Sequence, residues 1–195
     1  MTLEERIANA REHYMSNFRD WIVQRKKAFP KGVAEVMFLM PGPAGRPERY
    51  RLMRVDLVEA KDPNKPALVE MNVDSDARFQ AEPHGWKGSL HAVLYPFVWN
   101  GCEFRFVAPS LSWPAVDDWW DEWFDEQERK PLSPDGLGGV IHSMTEPQRT
   151  AEGSTFSVDF GSARVDAFHA LLDALAATGI REVIVGSFHL KAGGD

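Results

Sequence analysis

The chain has 195 residues, a formal net charge of −7 and a single cysteine, with 44% hydrophobic and 26% charged residues. This composition excludes a largely disordered chain, a collagen-like chain and a disulfide scaffold, and its acidic balance argues against nucleic-acid binding. Because there is neither a run of about 18 apolar residues nor a signal-peptide pattern, we expect one cytoplasmic domain over residues 1–195 with no membrane partner.

A long helix is the first element that the sequence predicts, from about Leu3 to Ala28. Thr2 and Glu5 stand at the spacing of a capping box, in which each side chain accepts a hydrogen bond from a backbone N–H. Apolar residues recur every three or four positions in one stripe: Leu3, Ile7, Ala10, Tyr14, Phe18, Trp21 and Ile22. A helix of this length extends across a whole face of a sheet, so we expect the stripe to be buried.

The next part of the chain is predicted to form strands with short connections. Apolar or alternating runs at 33–40, 50–58 and 68–74 predict an antiparallel meander. Asn100–Gly101, between two further apolar runs, predicts a type I′ hairpin, because that turn needs positive φ at both central positions. Pro96 lies in the first of these runs, and its missing N–H predicts a sheet edge or a bulge.

A helix rich in tryptophan and acidic residues is predicted to begin at Pro114 and to end near Arg129. Proline is favoured in the first turn, and the carboxylates that follow it interact favourably with the helix dipole. One face is bulky and apolar, and the other is acidic. Trp119 and Trp120 are adjacent and so about 100° apart around the helix, which places Trp119 at the edge of the buried face.

The last part of the chain predicts a strand–helix–strand unit. An alternating strand at 155–160 is followed by Ser162 as a candidate N-cap, by a helix ending at Gly179, and by a strand at 183–185. The crossover is expected to be right-handed, with two parallel strands that are adjacent or separated by one further strand. Together the elements predict a single α+β domain with a mixed, mainly antiparallel sheet, a long N-terminal helix, a tryptophan-rich acidic middle helix and this C-terminal unit.

The acidic helix is the first candidate functional site. We predict that its solvent side binds a protein partner, with a basic one favoured by charge, through Asp118, Trp119, Glu122, Asp125 and Glu126. Tryptophan is common at interface hot spots, and carboxylates raise the association rate with a basic partner. These features predict a non-enzymatic interaction domain of the inhibitor, immunity or adaptor type. Whether the chain forms a homo-oligomer is left open. The alternative is an amphipathic helix with a bulky core face and a solvated acidic face.

A polar, irregular segment supplies the alternative function, a small hydrolase or metal-dependent enzyme. Long irregular loops in compact domains are often functional, and carboxylates and imidazoles there would act as metal ligands or as an acid–base pair. The candidate residues are Asp74, Asp76, Glu82, His84 and His91. Their spacing matches no known ligand motif, so a solvated loop is the competing interpretation.

Other motifs argue against familiar catalytic chemistry. Cys102 has no neighbouring base in sequence and is expected in the core. His142 and Glu146 are four residues apart but fall on a strand and a loop, so they lack the helical spacing of a zinc protease. The glycine-rich stretch 136–139 precedes a strand, whereas a phosphate-binding loop leads into a helix. The sequence therefore favours a non-enzymatic protein that needs no metal or cofactor.

Overall fold

The structure, a computed structural model, describes residues 1–42, 47–62, 65–73, 79–88, 90–107 and 114–188. The fold is α+β, as predicted. The helices of the described residues are α1 (Leu3–Ala28), α2 (Pro114–Phe124) and α3 (Val165–Ala177), with a short 3-10 turn at Glu48–Tyr50. The strands are β1 (Val33–Leu39), β2 (Leu52–Asp62), β3 (Lys65–Val69), β4 (Glu82–Gly85), β5 (His91–Leu94), β6 (Cys102–Phe106), β7 (Ser143–Met144), β8 (Gln148–Thr150), β9 (Gly153–Asp159) and β10 (Glu182–Gly186). Within this part of the chain, no helix is both long enough and apolar enough to cross a membrane.

Helix α1 begins and ends where the sequence predicts. The Thr2 side chain accepts a hydrogen bond from the N–H of Glu5, and the Glu5 carboxylate accepts one from the N–H of Thr2 at 2.7 Å. The apolar stripe is buried, with Phe18 0% exposed, whereas Trp21 is only half-buried. The stripe therefore forms one wall of the hydrophobic core.

Two sheets share this core. The first has the order β1-β2-β3 and is the predicted antiparallel meander, although β3 starts and ends earlier than predicted. The second has the order β4-β5-β10-β6-β9-β7, with β8 also paired to β9. The sheets meet where the N–H of Arg54 on β2 donates to the carbonyl of His142, just before β7, at 2.8 Å. This junction lies beneath α1, where the ring of Phe18 meets that of His142 edge-on at 6.1 Å.

The strand–helix–strand unit has the second of the two predicted arrangements. β9 and β10 are parallel, and β6 lies between them, antiparallel to both. Gly179 follows α3 with a φ of 85°, as expected of a helix C-terminus. Ser162, however, does not cap α3, which starts after Arg164; its hydroxyl accepts hydrogen bonds from the N–H groups of Gly139 and Val140 instead.

The hairpin predicted at Asn100–Gly101 is wrong. β5 ends at Leu94, before Pro96, and β10 lies between β5 and β6 and pairs with both. A proline has no N–H to donate to a ladder, and the apolar β10 offers each neighbour continuous pairing. A strand from the end of the chain therefore overrides the local turn signal.

Helix α2 is shorter than predicted. It ends at Phe124 because Asp125 adopts a φ of 52°, and the Asp125 carboxylate accepts hydrogen bonds from the N–H groups of Arg129 and Lys130. Asp125 is 3% exposed, so its predicted place on the solvent side of the helix is wrong. The buried guanidinium of Arg54 donates to the carbonyls of Phe124 and Asp125, which the helix end leaves without an intrahelical partner.

Candidate functional site

A group of ionisable side chains is buried at the junction of the two sheets, and we call it the His142 cluster. It combines an imidazole, a phenol and four carboxyl groups, from Tyr14 on α1, Glu35 on β1, Asp56 on β2, Glu70 after β3, His142 before β7 and Asp159 on β9. His142 is 0% exposed, Asp56 1% and Glu35 6%. Charged residues are almost never fully buried unless they are paired, so the pairing within the cluster decides what it can do.

His142 lies at the centre of the cluster. Its Nε2 is 2.9 Å from Oε1 of Glu35, and its Nδ1 is 3.1 Å from Oδ1 of Asp56 and 4.0 Å from Oδ2 of Asp159. Burial lowers the pKa of His142, but the surrounding carboxylates, Asp159 first, raise that pKa well above its ordinary value. His142 is therefore an imidazolium, and its Nε2 donates a hydrogen bond to Glu35.

The backbone at Gly161 gives the imidazole its space. A Cβ atom on Gly161 would lie 2.1 Å from Cδ2 of His142, and the residue has a φ of 46°, a conformation that glycine adopts readily. The N–H of Gly161 also donates to Oδ1 of Asp159 at 2.8 Å. One glycine thus positions two members of the cluster.

Glu35 has an unusual backbone conformation. Its φ is 53°, which is uncommon for a residue with a side chain, and the β1–β2 ladder skips the position where Glu35 faces Asp56. The Glu35 carbonyl accepts a hydrogen bond from the guanidinium of Arg54 at 3.1 Å. The interrupted ladder turns the Glu35 carboxylate toward His142.

Hydrogen bonds hold the Glu35 carboxylate in its charged form. Its Oε2 accepts from the N–H of Gly138 at 2.5 Å. Burial raises the pKa of Glu35, but hydrogen bonds from His142, Ser162 and Gly138 together with the charge of His142 outweigh it, and the pKa is lowered. Glu35 is therefore a fixed negative charge that orients the imidazolium.

Two carboxyl groups connect the cluster to solvent. The side chain of Asp159 is 20% exposed, and burial, together with the charges of Asp56 and Glu35, raises its pKa to about 7 despite the opposing charge of His142. Glu70 reaches the cluster from the exposed side, and partial burial together with the charges of Asp56 and Asp159 raises its pKa to about 8. Both groups therefore exchange protons near neutral pH, as an acid–base pair must.

Asp56 and Tyr14 form the inner wall of the cluster. Oδ2 of Asp56 accepts a hydrogen bond from the N–H of Met71 at 2.6 Å. Its Oδ1 lies 3.1 Å from Nδ1 of the His142 imidazolium. The Tyr14 hydroxyl is buried with no hydrogen-bond partner in the described part of the chain. Burial, followed by the charges of Asp159 and Asp56, raises the pKa of Tyr14 well above its ordinary value, so the phenol stays protonated. Because buried polar atoms are nearly always paired, the Tyr14 hydroxyl is a candidate ligand contact.

The acidic helix does not present the indole that the sequence predicts. Trp119 is 3% exposed, and its Nε1 donates to the carbonyl of Ala167 on α3 at 2.8 Å. The prediction that Trp119 lies at the edge of the buried face is wrong, because α2 packs this side against α3. Asp118, Glu122 and Glu126 are exposed, and their binding of a partner stays a prediction.

The polar site predicted between β3 and β5 is not assembled. Two of its members lie outside the described residues: Asp74 and Asp76. Glu82 pairs with Arg6 at 2.5 Å. His84 and His91 stand in neighbouring pairs of the β4–β5 register, so their side chains lie on opposite faces of the sheet. Among the residues that the structure describes, no group of three or more His, Cys, Asp or Glu side chains is arranged to hold a metal ion.

Sequence patterns do not reveal the His142 cluster, because its members come from distant segments and match no spacing motif. A signal was present all the same. Glu35, Asp56 and His142 each interrupt a run of mostly apolar residues. An ionisable residue on a buried strand requires a partner. Two acidic residues and one histidine in such positions therefore predict that the three pair with one another.

A cavity of about 820 Å³ lies over another part of the second sheet. Its walls include Tyr95, Glu103, Arg105 and Phe188. It shares no lining residue with the His142 cluster, so the cavity and the cluster are separate features. Five of the six members of the cluster have shifted pKa values, and those of Asp159 and Glu70 lie near neutral pH, which is why we assign function there.

No protein-family model, no curated protein and no solved structure matches this chain. The function is therefore inferred from the geometry and charge of the His142 cluster.

Proposed function

We propose that this protein is a hydrolase that uses general acid–base catalysis at the His142 cluster. The observation that carries the proposal is that the carboxyl groups of Asp159 and Glu70 lie on the solvent side of a buried imidazolium paired with Glu35 and Asp56. Burial and the neighbouring carboxylates raise the pKa of Asp159 to about 7 and that of Glu70 to about 8. A general acid or base works best when its pKa is close to the operating pH. Strongly perturbed carboxyl groups in a specific charged setting are typical of catalytic sites.

The energetic cost of the cluster supports a functional role. Burying carboxylates beside one another costs stability, and the positive φ of Glu35 adds backbone strain. Replacement of buried charged groups by well-packed apolar residues is often neutral or stabilising. Arrangements of this kind persist mainly at sites where the strained or charged groups serve function.

The chemistry assigns a separate role to each group. Ionised Asp159 takes a proton from water while the water oxygen forms a bond to the electrophilic carbon of the substrate. Protonated Glu70 gives its proton to the leaving group as the bond to that group breaks. The charge of the His142 imidazolium, which is held between Glu35 and Asp56, lowers the pKa of Asp159 and so favours the ionised form that accepts the proton. Exchange with solvent then returns one proton to Glu70 and removes one from Asp159.

Titration by carbon-13 NMR of the side-chain carboxyl groups tests the acid–base pair directly. We expect Asp159 to titrate near 7 and Glu70 near 8, and we expect Asp159→Asn to lower the pKa of Glu70 because it removes a negative charge. Values below about 5 for both groups, which are ordinary for carboxyl groups, would overturn the proposal.

A substrate panel tests catalysis. Chromogenic esters, amides and glycosides are offered, each as a neutral compound and as one bearing an amino group. We expect hydrolysis of at least one class, with a loss of about 100-fold or more in Asp159→Asn. Asp20→Asn, a change at an exposed carboxylate that is not a member of the cluster, serves as the control. Absence of any hydrolysis that depends on Asp159 contradicts the hydrolase assignment.

The exposed acidic side of α2 favours a second candidate function, a non-enzymatic interaction domain with a basic protein partner. Asp118, Asp121, Glu122 and Glu126 are exposed and form no ion pair with any described residue. Unpaired carboxylates of one sign raise the rate of association with a basic surface. The buried Trp119 does not take part, so this surface is purely electrostatic. For either function we propose a cytoplasmic location, with which a single buried thiol is compatible.

Charge reversal distinguishes the second candidate. We expect the double variant D118K/E122K to lose the basic proteins that the immobilised wild type retains at low salt. D20K, which reverses an exposed acid on α1, is the matched control and should retain them. Retention of the same proteins by D118K/E122K would exclude this surface as the binding site.

A further inference from the structure

The cavity of about 820 Å³ lies on the side of the second sheet that faces away from α3. Phe104 on β6 packs against Phe168 on α3, with ring centroids 5.6 Å apart. Because side chains alternate across a strand, Glu103 and Arg105 point to the opposite side, where both line the cavity. The volume falls in the range of about 300–1,000 Å³ that is usual for small-molecule sites.

A buried carboxylate holds Arg105 in a fixed orientation at the wall of this cavity. Nε of Arg105 donates to Oε1 of Glu103 at 2.5 Å, and the Thr155 hydroxyl donates to the same oxygen at 3.3 Å. The Glu103 side chain is 3% exposed, whereas that of Arg105 is 42% exposed. A guanidinium has five N–H donors, and this pair uses the one on Nε. The two outer nitrogens of Arg105 are therefore oriented donors at the cavity wall.

Aromatic rings give the same wall flat surfaces. The guanidinium carbon of Arg105 lies 3.9 Å from the centre of the Phe188 ring, and Tyr95 meets that ring edge-on at 5.5 Å. Gly186 gives Phe188 its space, because a Cβ atom there would lie 2.5 Å from Cζ of the ring. Guanidinium and aromatic planes stack favourably, so an aromatic ring in the cavity can extend this stack.

The charges of the cavity wall nearly cancel. Its ionised side chains are two guanidinium groups and three carboxylates, from Arg105, Arg181, Glu103, Glu152 and Glu182. Arg105 and Glu103 neutralise each other. The other three are exposed, where water and salt weaken their effect on an occupant. The wall therefore favours neither an anion nor a cation.

We propose that this cavity binds an uncharged, planar aromatic molecule that carries a carbonyl oxygen. The ring stacks with Arg105 and Phe188, and the carbonyl accepts hydrogen bonds from the outer nitrogens of Arg105. Glu103 is the positioning residue that holds the guanidinium for this contact. The site goes beyond the proposed hydrolysis, because it shares no lining residue with the His142 cluster.

Four small probes test each part of this chemistry. Chromone is planar, uncharged and carries a ketone; naphthalene lacks the carbonyl, 1-decalone lacks the planar rings, and chromone-2-carboxylate adds a negative charge. Binding is followed in nitrogen-15-labelled protein at the amides of Thr155 and Ile184, the register partners of Arg105 on β9 and β10. The amide of Gly161, which donates to Asp159, reports binding at the His142 cluster.

We expect chromone to give saturable shifts at Thr155 and Ile184, and the other three probes to bind about tenfold or more weakly. Arg105→Lys keeps the positive charge beside Glu103 but removes the planar fork, and it should weaken chromone binding about tenfold. Phe188→Leu should do the same, because it keeps an apolar side chain and removes the ring. Arg164→Lys, a change at an exposed arginine outside the cavity, is the matched control and should leave binding unchanged.

Several outcomes overturn the inference. Equal binding of naphthalene means that the carbonyl is irrelevant, equal binding of 1-decalone means that planarity is, and tighter binding of chromone-2-carboxylate assigns the cavity to anions. Chromone binding that survives Arg105→Lys, is confined to Gly161 or does not saturate also contradicts it. Shifts at Thr155 and Ile184 that appear without a probe as the protein concentration rises assign this face to a second copy of the chain. Asp159→Asn should not change chromone binding, so failure of this site and failure of the hydrolase are separate results.

Discussion

At the scale of single residues, Gly161 shows how the backbone determines where the imidazole of His142 can lie. A methyl group there meets the ring of His142 at 2.1 Å, and neither the buried ring nor the left-handed backbone can yield without cost. Gly88 is a natural control, since its φ is 70° but nothing lies within 4 Å of a Cβ atom. A comparison of alanine substitutions at the two glycines therefore distinguishes the cost of conformational strain from the cost of steric overlap.

We expect Gly161→Ala to lower the free energy of unfolding by about 3 kcal/mol or more, the sum of overpacking and left-handed strain. Gly88→Ala should cost only about 1 kcal/mol, from strain alone. Urea denaturation of both variants measures the difference. Equal losses would mean that His142 moves freely and that the site is not rigid.

Trp119 is a second residue whose role the structure changes. We expect Trp119→Ala to lower the free energy of unfolding by about 3–5 kcal/mol, because a buried indole leaves a cavity and its hydrogen bond to Ala167 is lost. Thermal and urea unfolding report the loss. A variant that is as stable as the wild type would mean that Trp119 is exposed, and would support its predicted role as a binding anchor.

Prediction of the site from sequence fails at the same scale, for a physical reason. Glu35, Asp56 and His142 look like isolated polar residues within mostly apolar segments, and only the fold shows that they neutralise one another. Local spacing carries no information about partners on other strands. The segment that looked most functional was polar because of its exposure and turns, and its His84 and His91 lie on opposite faces.

At the scale of elements, α1 follows local rules closely. Its capping box, its apolar stripe and its basic last turn all act within a few residues, so the sequence predicts its bounds. α2 and the strands β5 and β6 depend on distant partners. The end of α2 is set by the conformation of Asp125, and the separation of β5 from β6 by β10. Elements whose ends are fixed by tertiary contacts are the ones that local patterns misplace.

The stripe on α1 gives a graded prediction. We expect Phe18→Ala to cost about 3–5 kcal/mol of unfolding free energy, since Phe18 is 0% exposed. Trp21→Ala should cost less, about 1–2 kcal/mol, because that indole is half-buried. Val23→Ala, at a site 52% exposed, should change stability by less than about 0.5 kcal/mol. Unfolding midpoints in urea check the order, and a different ranking would mean that α1 packs with another face.

At the scale of the whole molecule, the His142 cluster links stability to pH. Asp159 and Glu70 keep their protons in the folded protein up to about pH 7 and about pH 8, whereas the unfolded chain loses them near pH 4. The folded protein therefore binds more protons in this window, and its stability falls as the pH rises. His142 acts in the same direction above its ordinary pKa, because its raised pKa stabilises the folded state at lower pH. Glu35, whose pKa is lowered, contributes stability that is lost only in more acidic solution.

We expect the free energy of unfolding to decrease steadily between about pH 5 and about pH 8. Asp159→Asn should flatten this dependence, since it removes one of the protons taken up on folding. Glu126→Gln should leave the slope unchanged. Urea unfolding at several pH values measures it, and stability that rises across this window would show that the carboxyl groups are ordinary.

The junction between the two sheets also affects the order in which the protein is made. Tyr14, Glu35, Asp56 and Glu70 belong to the part of the chain that leaves the ribosome first, and His142 follows much later. Until then, β2 has no partner at the N–H of Arg54, and the early carboxyl groups have no imidazolium to neutralise them. A nascent chain that stops short of His142 therefore leaves the first part of β2, which β3 does not cover, unpaired on that side, and unpaired strand edges favour aggregation. The members of the His142 cluster come together only after residue 159 has been made, so a shorter chain has the early carboxyl groups without their imidazolium.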